Sequence, residues 1–159
     1  MDFNLGYVGQ SVTEEGVSRR PDIRHGEAVT SQGLSRGLGI VVAYTEAWLR
    51  GVGCIPLHNS MEDAATAEIS RVQIWQWRSH GVSTQDDGQI ISAERVASLV
   101  DDEVDRQCGG PGQLKGKWRL AGSLVESMLN KEELDDFLTS VCYPHIVNTA
   151  YESSSQAKL

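Results

Sequence analysis

The sequence predicts an all-α domain of five helices, preceded by an irregular segment. Three observations support this fold class. Apolar residues recur at helical spacing in five successive segments. Residues that start or stop helices, such as Ser92, Gly51 and Pro144, bound these segments. No segment shows an alternation of apolar and polar residues of comparable strength, so the sequence does not predict strands.

The length and charge of the chain limit the number of domains and the functional classes that it can have. At 159 residues it is long enough for one domain with a core, but too short for an α/β barrel with anything added. The formal net charge of -8 argues against a nucleic-acid surface. The best apolar stretch, residues 40–48, is interrupted by Glu46, so we expect no membrane span. Three widely spaced cysteines suit a reducing compartment and match no zinc spacing, and we predict no metal site in the chain.

Both ends are predicted to lie outside the helical domain, which we place at residues 37–150. Residues 1–36 lack helical periodicity, and we interpret residues 18–35 as an inserted, mobile loop. Residues 151–159 are polar and are expected to be disordered. They end in Ala157-Lys158-Leu159, a variant of the Ser-Lys-Leu peroxisomal address.

The first two helices are predicted on either side of a turn that contains glycine and proline. The first spans residues 38–50, and its apolar face carries Val41, Tyr44 and Ala47-Trp48. The second begins at Glu62-Asp63 and ends near residue 80, after a polar cap supplied by Leu57-His58-Asn59-Ser60. Ser60 and Asp63 have the spacing of a capping box, in which Asp63 would reach back to the helix start.

The residues around Asp63 also allow a second interpretation. Met61, Ala65, Ile69 and Val72 follow helical spacing and form an apolar stripe, which we expect to be covered. A carboxylate at the entrance of such a buried helix is a candidate general base. From the residues alone, Asp63 could be either a helix cap or a general base.

Three further helices complete the domain. The third is predicted from Ser92 to about Gln107, and a glycine-rich linker at residues 109–112 follows it. The fourth spans residues 117–129. The fifth spans residues 131–143, and Pro144 is expected to end or kink it.

Three stretches of the sequence resemble the C-terminal region of malate synthase, in its peroxisomal or glyoxysomal form. They read Glu46-Ala47-Trp48-Leu49-Arg50-Gly51, Gly53-Cys54-Ile55-Pro56, and MEDAATAEISR from Met61 to Arg71. The resemblance is nearly gapless over residues 39–77. In that family the C-terminal domain is a helical plug that closes the mouth of a TIM barrel. The resemblance therefore implies a five-helix, plug-like bundle that lacks its barrel.

The resemblance also implies functional residues and partners. Malate synthase condenses acetyl-CoA with glyoxylate, and the aspartate of its Met-Glu-Asp motif, here Asp63, is the catalytic base. Cys54, Pro56, His58 and Met61 lie close to it in sequence and are the candidate substrate-binding residues. The family's Mg²⁺ is held by barrel carboxylates, so its ligands are expected outside this chain. Together with the C-terminal tripeptide, the resemblance implies a peroxisomal (glyoxysomal) location.

Three hypotheses for the function follow. The chain is the catalytic C-terminal domain of a malate synthase, a stand-alone relative in which Asp63 transfers protons in an isomerisation or cyclisation, or a non-catalytic helical interaction module. A positioned base contributes about 10²–10⁴-fold to a rate, so we expect the chain to be inactive without the barrel. The barrel or a partner chain would cover the plug, and a homo-oligomer is a further alternative.

Overall fold

Five helices and one β-hairpin make up the residues that the computed structural model describes, 28–57, 59–108 and 116–146. The elements in chain order are α1 (Ser31–Leu49), β1 (Cys54–Leu57), β2 (Ser60–Asp63), α2 (Ala64–Ser79), α3 (Ala93–Gln107), α4 (Trp118–Asn130) and α5 (138–146). The predicted all-α class and its five helices are confirmed, whereas the hairpin was not predicted. Within these ranges, none of the helices combines the length and hydrophobicity that a bilayer crossing requires.

The central element is α1, which contacts α2, α3, α4 and both strands. All of residues 38–47 are buried, because neighbouring elements cover the helix on several sides. It begins at Ser31, earlier than predicted. Thr30 caps it there by accepting a hydrogen bond from the Gly33 N–H at 3.1 Å. The predicted irregular segment therefore extends too far, since its last residues are helical.

Other predictions fall on residues that the structure does not describe. Most of the N-terminal segment lies in residues 1–27, and the glycine-rich linker lies in residues 109–115. The C-terminal tail with its tripeptide lies in residues 147–159. These interpretations remain predictions from the sequence.

A polar network ties the N-terminus of α1 to the loop before α3. The Ser31 N–H donates to Asp86 Oδ1 at 2.9 Å, and the Ser31 hydroxyl donates to Asp87 Oδ2 at 2.8 Å. Arg95 donates to the same Asp87 oxygen at 2.8 Å, and the Thr84 hydroxyl donates to Asp87 Oδ1. These bonds hold the pKa of Asp87 well below its ordinary value, and the bond from Thr84 has the largest effect. The network joins residues 56 positions apart in the chain.

The buried face of α2 is not the predicted one. Met61 and Ile69 are 66% and 60% exposed, and Ala65 also faces solvent. The expectation that these residues form a covered stripe is therefore wrong within the described chain. The helix packs through its opposite face, which carries Ala67, Ser70, Arg71 and Ile74. Arg71 is tolerated there because it donates to the backbone carbonyl of Asp135 at 2.9 Å.

The predicted bounds of α3 and α4 agree closely with the structure. The Ser92 side chain caps α3 by accepting a hydrogen bond from the Arg95 N–H at 3.2 Å. The two helices approach each other closely at Gly122. A Cβ atom added there would lie 2.6 Å from Val104 Cγ2, so the missing side chain permits this packing.

The fifth helix begins at residue 138, later than the predicted 131. The Lys131 carbonyl accepts a hydrogen bond from Trp75 Nε1 at 3.0 Å, and the Leu138 N–H donates to Glu68 Oε1 at 2.5 Å. These bonds to α2 take the place of helical bonds in the connection. The helix continues through Pro144 to residue 146, so the proline does not end it.

We expect Gly122→Ala to destabilise the domain. The clash with Val104 costs about 1–3 kcal/mol, and a gain in helix propensity of about 1 kcal/mol offsets part of it. Gly53→Ala is the matched control, since no heavy atom lies within 4 Å of the position of its added Cβ. Urea unfolding of the 159-residue chain measures both. Equal stabilities of the two variants would contradict the close approach of α3 and α4.

We expect Asp87→Asn to lower the melting temperature at neutral pH. Because the folded-state pKa of Asp87 is depressed, its stabilisation is present above its ordinary value of 3.8 and is lost as the pH falls below it. The difference in melting temperature from the unmodified chain should therefore shrink between about pH 4 and pH 2. Asp102→Asn, at an exposed position of α3, is the control and should change the melting temperature little. A pH-independent difference would show that the Asp87 charge is not involved.

Candidate functional site

The segment predicted to be a turn and a polar cap is an antiparallel hairpin. Its strands pair in the register Cys54↔Asp63, Ile55↔Glu62, Pro56↔Met61 and Leu57↔Ser60. Asn59, between the strands, has a φ of 63°, a left-handed conformation that asparagine adopts more readily than most residues. The capping role predicted for Leu57-His58-Asn59-Ser60 is wrong, because Leu57 and Ser60 form the last cross-strand pair.

The hairpin brings most of the candidate residues together. Neighbouring residues of a strand point to opposite faces, and cross-strand partners share a face. Ile55 and Leu57 are half-buried and Glu62 is buried, so one face is turned toward the rest of the domain. The opposite, exposed face, which we term the candidate face, carries Cys54, Pro56, Met61 and Asp63. His58 lies outside the described residues.

Asp63 ends β2 and is the N-cap residue of α2. Its Oδ1 accepts hydrogen bonds from the Ala65 N–H at 2.9 Å and the Thr66 N–H at 3.2 Å. Asp63 therefore ties down the start of α2, but it does so as the N-cap residue itself, and the predicted capping box begun by Ser60 is wrong. The other oxygen, Oδ2, accepts no hydrogen bond from the described residues. One oxygen thus anchors the helix, and the other is available to a ligand.

A cavity of about 370 Å³ lies elsewhere on the domain. Its lining residues, Trp48, Thr139, Ser140 and Tyr143, belong to α1 and α5. The ring centroids of Trp48 and Tyr143 are 6.5 Å apart. None of these residues belongs to the hairpin, so this cavity is separate from the candidate face.

Sequence reasoning placed Tyr44 on the apolar face of α1 and missed its relation to the hairpin. The residue is 2% exposed. Burial raises the pKa of the Tyr44 phenol above its ordinary value, and the nearby charges of Asp63 and Glu68, followed by Cys54, raise it further. Its hydroxyl donates no hydrogen bond to another described residue. Helical periodicity identifies a core position, but it does not reveal which element covers that position.

The described residues provide no group of three or more His, Cys, Asp or Glu side chains that could hold a metal ion. Glu68, the acidic residue nearest to Asp63 along α2, has both oxygens engaged. Its Oε2 accepts from Arg71 Nε at 2.7 Å, and its Oε1 accepts from the Leu138 N–H. Among these residues there is no ligand set that fits the Mg²⁺ implied by the resemblance.

Comparison with known proteins identifies one family. A family model described as malate synthase, C-terminal, matches residues 28–146. Glyoxysomal malate synthase of Zea mays is 42% identical over 147 residues, which are 89% of this chain and 26% of the relative. Malate synthase of Oryza sativa subsp. japonica is 40% identical over 157 residues, 96% of this chain and 27% of the relative.

A third relative is the bifunctional glyoxylate cycle protein of Caenorhabditis elegans. It is 38% identical over 122 residues, which are 77% of this chain and 12% of the relative. The chain therefore spans about a quarter of the length of the two plant relatives and less of the nematode one. The match covers all five helices and the hairpin.

We expect Asp63→Ala to destabilise the domain by about 0.5–2 kcal/mol, because Ala65 and Thr66 lose the acceptor of their N–H groups. Asp63→Asn should change the stability little, because an asparagine oxygen caps a helix about as well. Urea unfolding of the two variants and of Asp102→Ala, an exposed control, measures these differences. Equal losses for the alanine and asparagine variants at position 63 would show that capping does not explain the effect.

Proposed function

This chain belongs to the malate synthase C-terminal domain family, and from that premise we propose that it supplies the general base for condensing acetyl-CoA with glyoxylate to malate and CoA. The observation that carries the proposal is the free Oδ2 of Asp63 on the candidate face. The chain acts as the C-terminal part of a larger enzyme, since it spans about a quarter of its plant relatives.

The proposed step is a proton transfer from the methyl group of acetyl-CoA to Asp63 Oδ2. The electron pair of the C–H bond forms an enolate, whose carbon attacks the aldehyde carbon of glyoxylate to form a C–C bond. The electron pair of the C=O π bond moves to the aldehyde oxygen, which takes up a proton as Asp63 gives one up, and malyl-CoA results. Water then hydrolyses the thioester and releases CoA and malate. In this sequence the chain holds one proton acceptor in place, a contribution of about 10²–10⁴-fold.

The helix cap supports this role, because it restricts the carboxylate. The N–H groups of Ala65 and Thr66 both bind Oδ1, so the side chain is held by one oxygen, while Oδ2 accepts no hydrogen bond from the described residues. A base that is already oriented loses less freedom when the substrate arrives. Cys54, Pro56 and Met61 share the face with Asp63, and we propose that they contact the acyl substrate there.

The rest of the enzyme must supply what this chain lacks. Enzymes lower barriers by about 8–23 kcal/mol, whereas a positioned base contributes about 3–5 kcal/mol. Met61, on the same face of the hairpin as Asp63, and Ile69, on α2, are largely exposed apolar side chains, which suits them to burial against another domain. We propose that the barrel expected from the resemblance covers this surface, binds glyoxylate and provides the Mg²⁺ ligands.

One observation favours a second function. Because Asp63 caps α2, its presence is explained without catalysis, as in a helical interaction module that binds through Met61 and Ile69. In such a module Asp63→Asn would be silent in every assay. The two functions therefore differ in the effect of that one substitution on the rate.

We propose that the protein is located in the peroxisome or glyoxysome. The relatives from Zea mays and Candida tropicalis are named glyoxysomal malate synthases.

The test is a chimera of the Zea mays enzyme in which this chain replaces the matching C-terminal quarter. We expect the chimera to form malate from acetyl-CoA and glyoxylate, and the 159-residue chain alone to form none. Asp63→Asn in the chimera should lower kcat by about 10²–10⁴-fold without changing the stability, because asparagine keeps the cap but cannot accept the proton.

The control for this experiment is Asp102→Asn in the same chimera, which should leave kcat unchanged. A chimera whose Asp63→Asn variant keeps its full rate would exclude the base and favour the interaction module. Malate formation by the isolated chain would exclude the requirement for a barrel.

A further inference from the structure

Glu62 is a buried carboxylate without a partner in the described part of the chain. It is 7% exposed and lies on β2, where its cross-strand partner is Ile55. Its side chain forms neither a hydrogen bond nor an ion pair with another described residue. Buried Glu46, by contrast, pairs with Arg50 at 2.7 Å. Since glutamate is rarely buried to this extent unless it is paired, a partner for Glu62 is to be expected.

The carboxylate of Glu62 is open to a group that approaches from outside the domain. Among the described residues, the side-chain atoms that are both sealed from solvent and unpartnered are Arg71 Nη1, Arg78 Nε and Asn130 Oδ1. The oxygens of Glu62 are also unpartnered but are not in this group, so they reach the surface. The side chain is therefore mostly buried, while its charged end remains accessible.

The charge of Glu62 determines what kind of group fits it. A carboxylate accepts hydrogen bonds and attracts cations. Glyoxylate is an anion, and an unpaired negative charge next to Asp63 would repel it. The missing partner is therefore a cation, and no described residue supplies one. The chain spans 26% of the Zea mays relative, so most of a full-length protein lies outside it.

We propose that the Glu62 carboxylate receives a cationic side chain, arginine or lysine, from the rest of the enzyme. This inference rests on one part of the proposed function, namely that the chain belongs to a larger enzyme. Arginine has the better geometry, because a guanidinium group can bind both oxygens of a carboxylate and both oxygens of Glu62 are unused.

The position of Glu62 gives this ion pair a role at the candidate site. Glu62 and Asp63 are neighbours on β2, so their side chains point to opposite faces of the hairpin. A cation bound to Glu62 therefore leaves Asp63 Oδ2 unoccupied. The ion pair attaches the strand that carries Asp63 to the rest of the enzyme, and it thereby fixes where the carboxylate of Asp63 lies relative to the substrates.

The first test is hydrogen exchange of the hairpin amides, residues 54–63, measured by mass spectrometry. Glu62→Gln removes the charge and keeps the size of the side chain. In the chimera with the Zea mays enzyme, we expect this variant to exchange about tenfold to a hundredfold faster, the range for a lost hydrogen bond to a charged group. In the 159-residue chain, which lacks the cation, exchange should not increase.

Two controls belong to this test. Asp102→Asn should leave the exchange of the hairpin unchanged in both proteins. The amides of α3 and α4 should keep their exchange rates in the Glu62→Gln variants, which shows that the domain is folded. An unchanged hairpin in the Glu62→Gln chimera would overturn the proposal, and so would an equal increase in the chimera and in the chain.

The second test identifies the cation. Each arginine and lysine in the Zea mays part of the chimera is replaced in turn by methionine. One of these substitutions should increase the exchange of the hairpin as much as Glu62→Gln does. In the Glu62→Gln background the same substitution should add nothing, because the two changes remove one shared interaction. The absence of any such coupled residue would overturn the proposal.

Two further outcomes have a clear meaning. If Glu62→Gln raises the Mg²⁺ concentration needed for half-maximal malate formation while the exchange of the hairpin stays the same, Glu62 is a metal ligand and the proposal is wrong. If Asp63→Asn keeps the full rate, the proposed base is wrong. The proposal for Glu62 is unaffected by that result, because exchange measures the attachment of the hairpin and not turnover.

Discussion

The burial of α1 on several sides is the constraint on which the rest of the structure depends. A helix covered in this way must satisfy its own polar side chains within the domain. The Thr45 hydroxyl donates to the Val41 carbonyl at 2.7 Å, and buried Glu46 accepts from the Lys117 N–H at 3.1 Å, which also fixes the start of α4. Tyr44, beside them, has no such partner. Through Glu46, the helix that organises the core also positions a neighbouring helix.

The junction between β2 and α2 shows how one residue serves two requirements. An N-cap residue needs an extended backbone, and the last residue of a strand already has one. At Asp63, φ is -118° and ψ is -171°, which satisfies both. Strand alternation then sets the side chain on the exposed face, together with its cross-strand partner Cys54. The same backbone thus anchors one oxygen on the helix and leaves the other accessible.

The sequence predicts those features that depend on local chemistry. Ser92 marks the start of α3 because its own side chain caps the helix. The hairpin was missed because each strand has only four residues, of which two in β1 and three in β2 face solvent, so no strong pattern results. The start of α1 involves Asp86, 55 positions away, and the start of α5 involves Glu68, 70 positions away. Such distant partners are not visible in local periodicity.

In the candidate site, too, some residues can be predicted from local sequence, and others depend on contacts between distant parts of the chain. The resemblance selected Asp63, and the hairpin explains why Cys54, Pro56 and Met61 accompany it, since all four share one face. The relation to Tyr44 required the packing of α1. The apolar stripe of Met61, Ala65 and Ile69 is exposed in the described chain, so the expectation that it is covered there was wrong.

The exposure of this surface is compatible with the general base that we propose. If the domain buried Asp63 within its own core, the carboxylate would lose its hydration and no substrate could reach Oδ2. In the proposed enzyme, a second domain that approaches Met61 and Ile69 would exclude water, while the Ala65 and Thr66 N–H groups would remain bound to Oδ1. These bonds persist when water leaves, so they offset part of the cost of desolvating the carboxylate. A base at an interface between two domains can be reached by substrate while the domains are apart, and it is shielded from water once they come together. A base inside the core of one domain could not be reached by substrate at all.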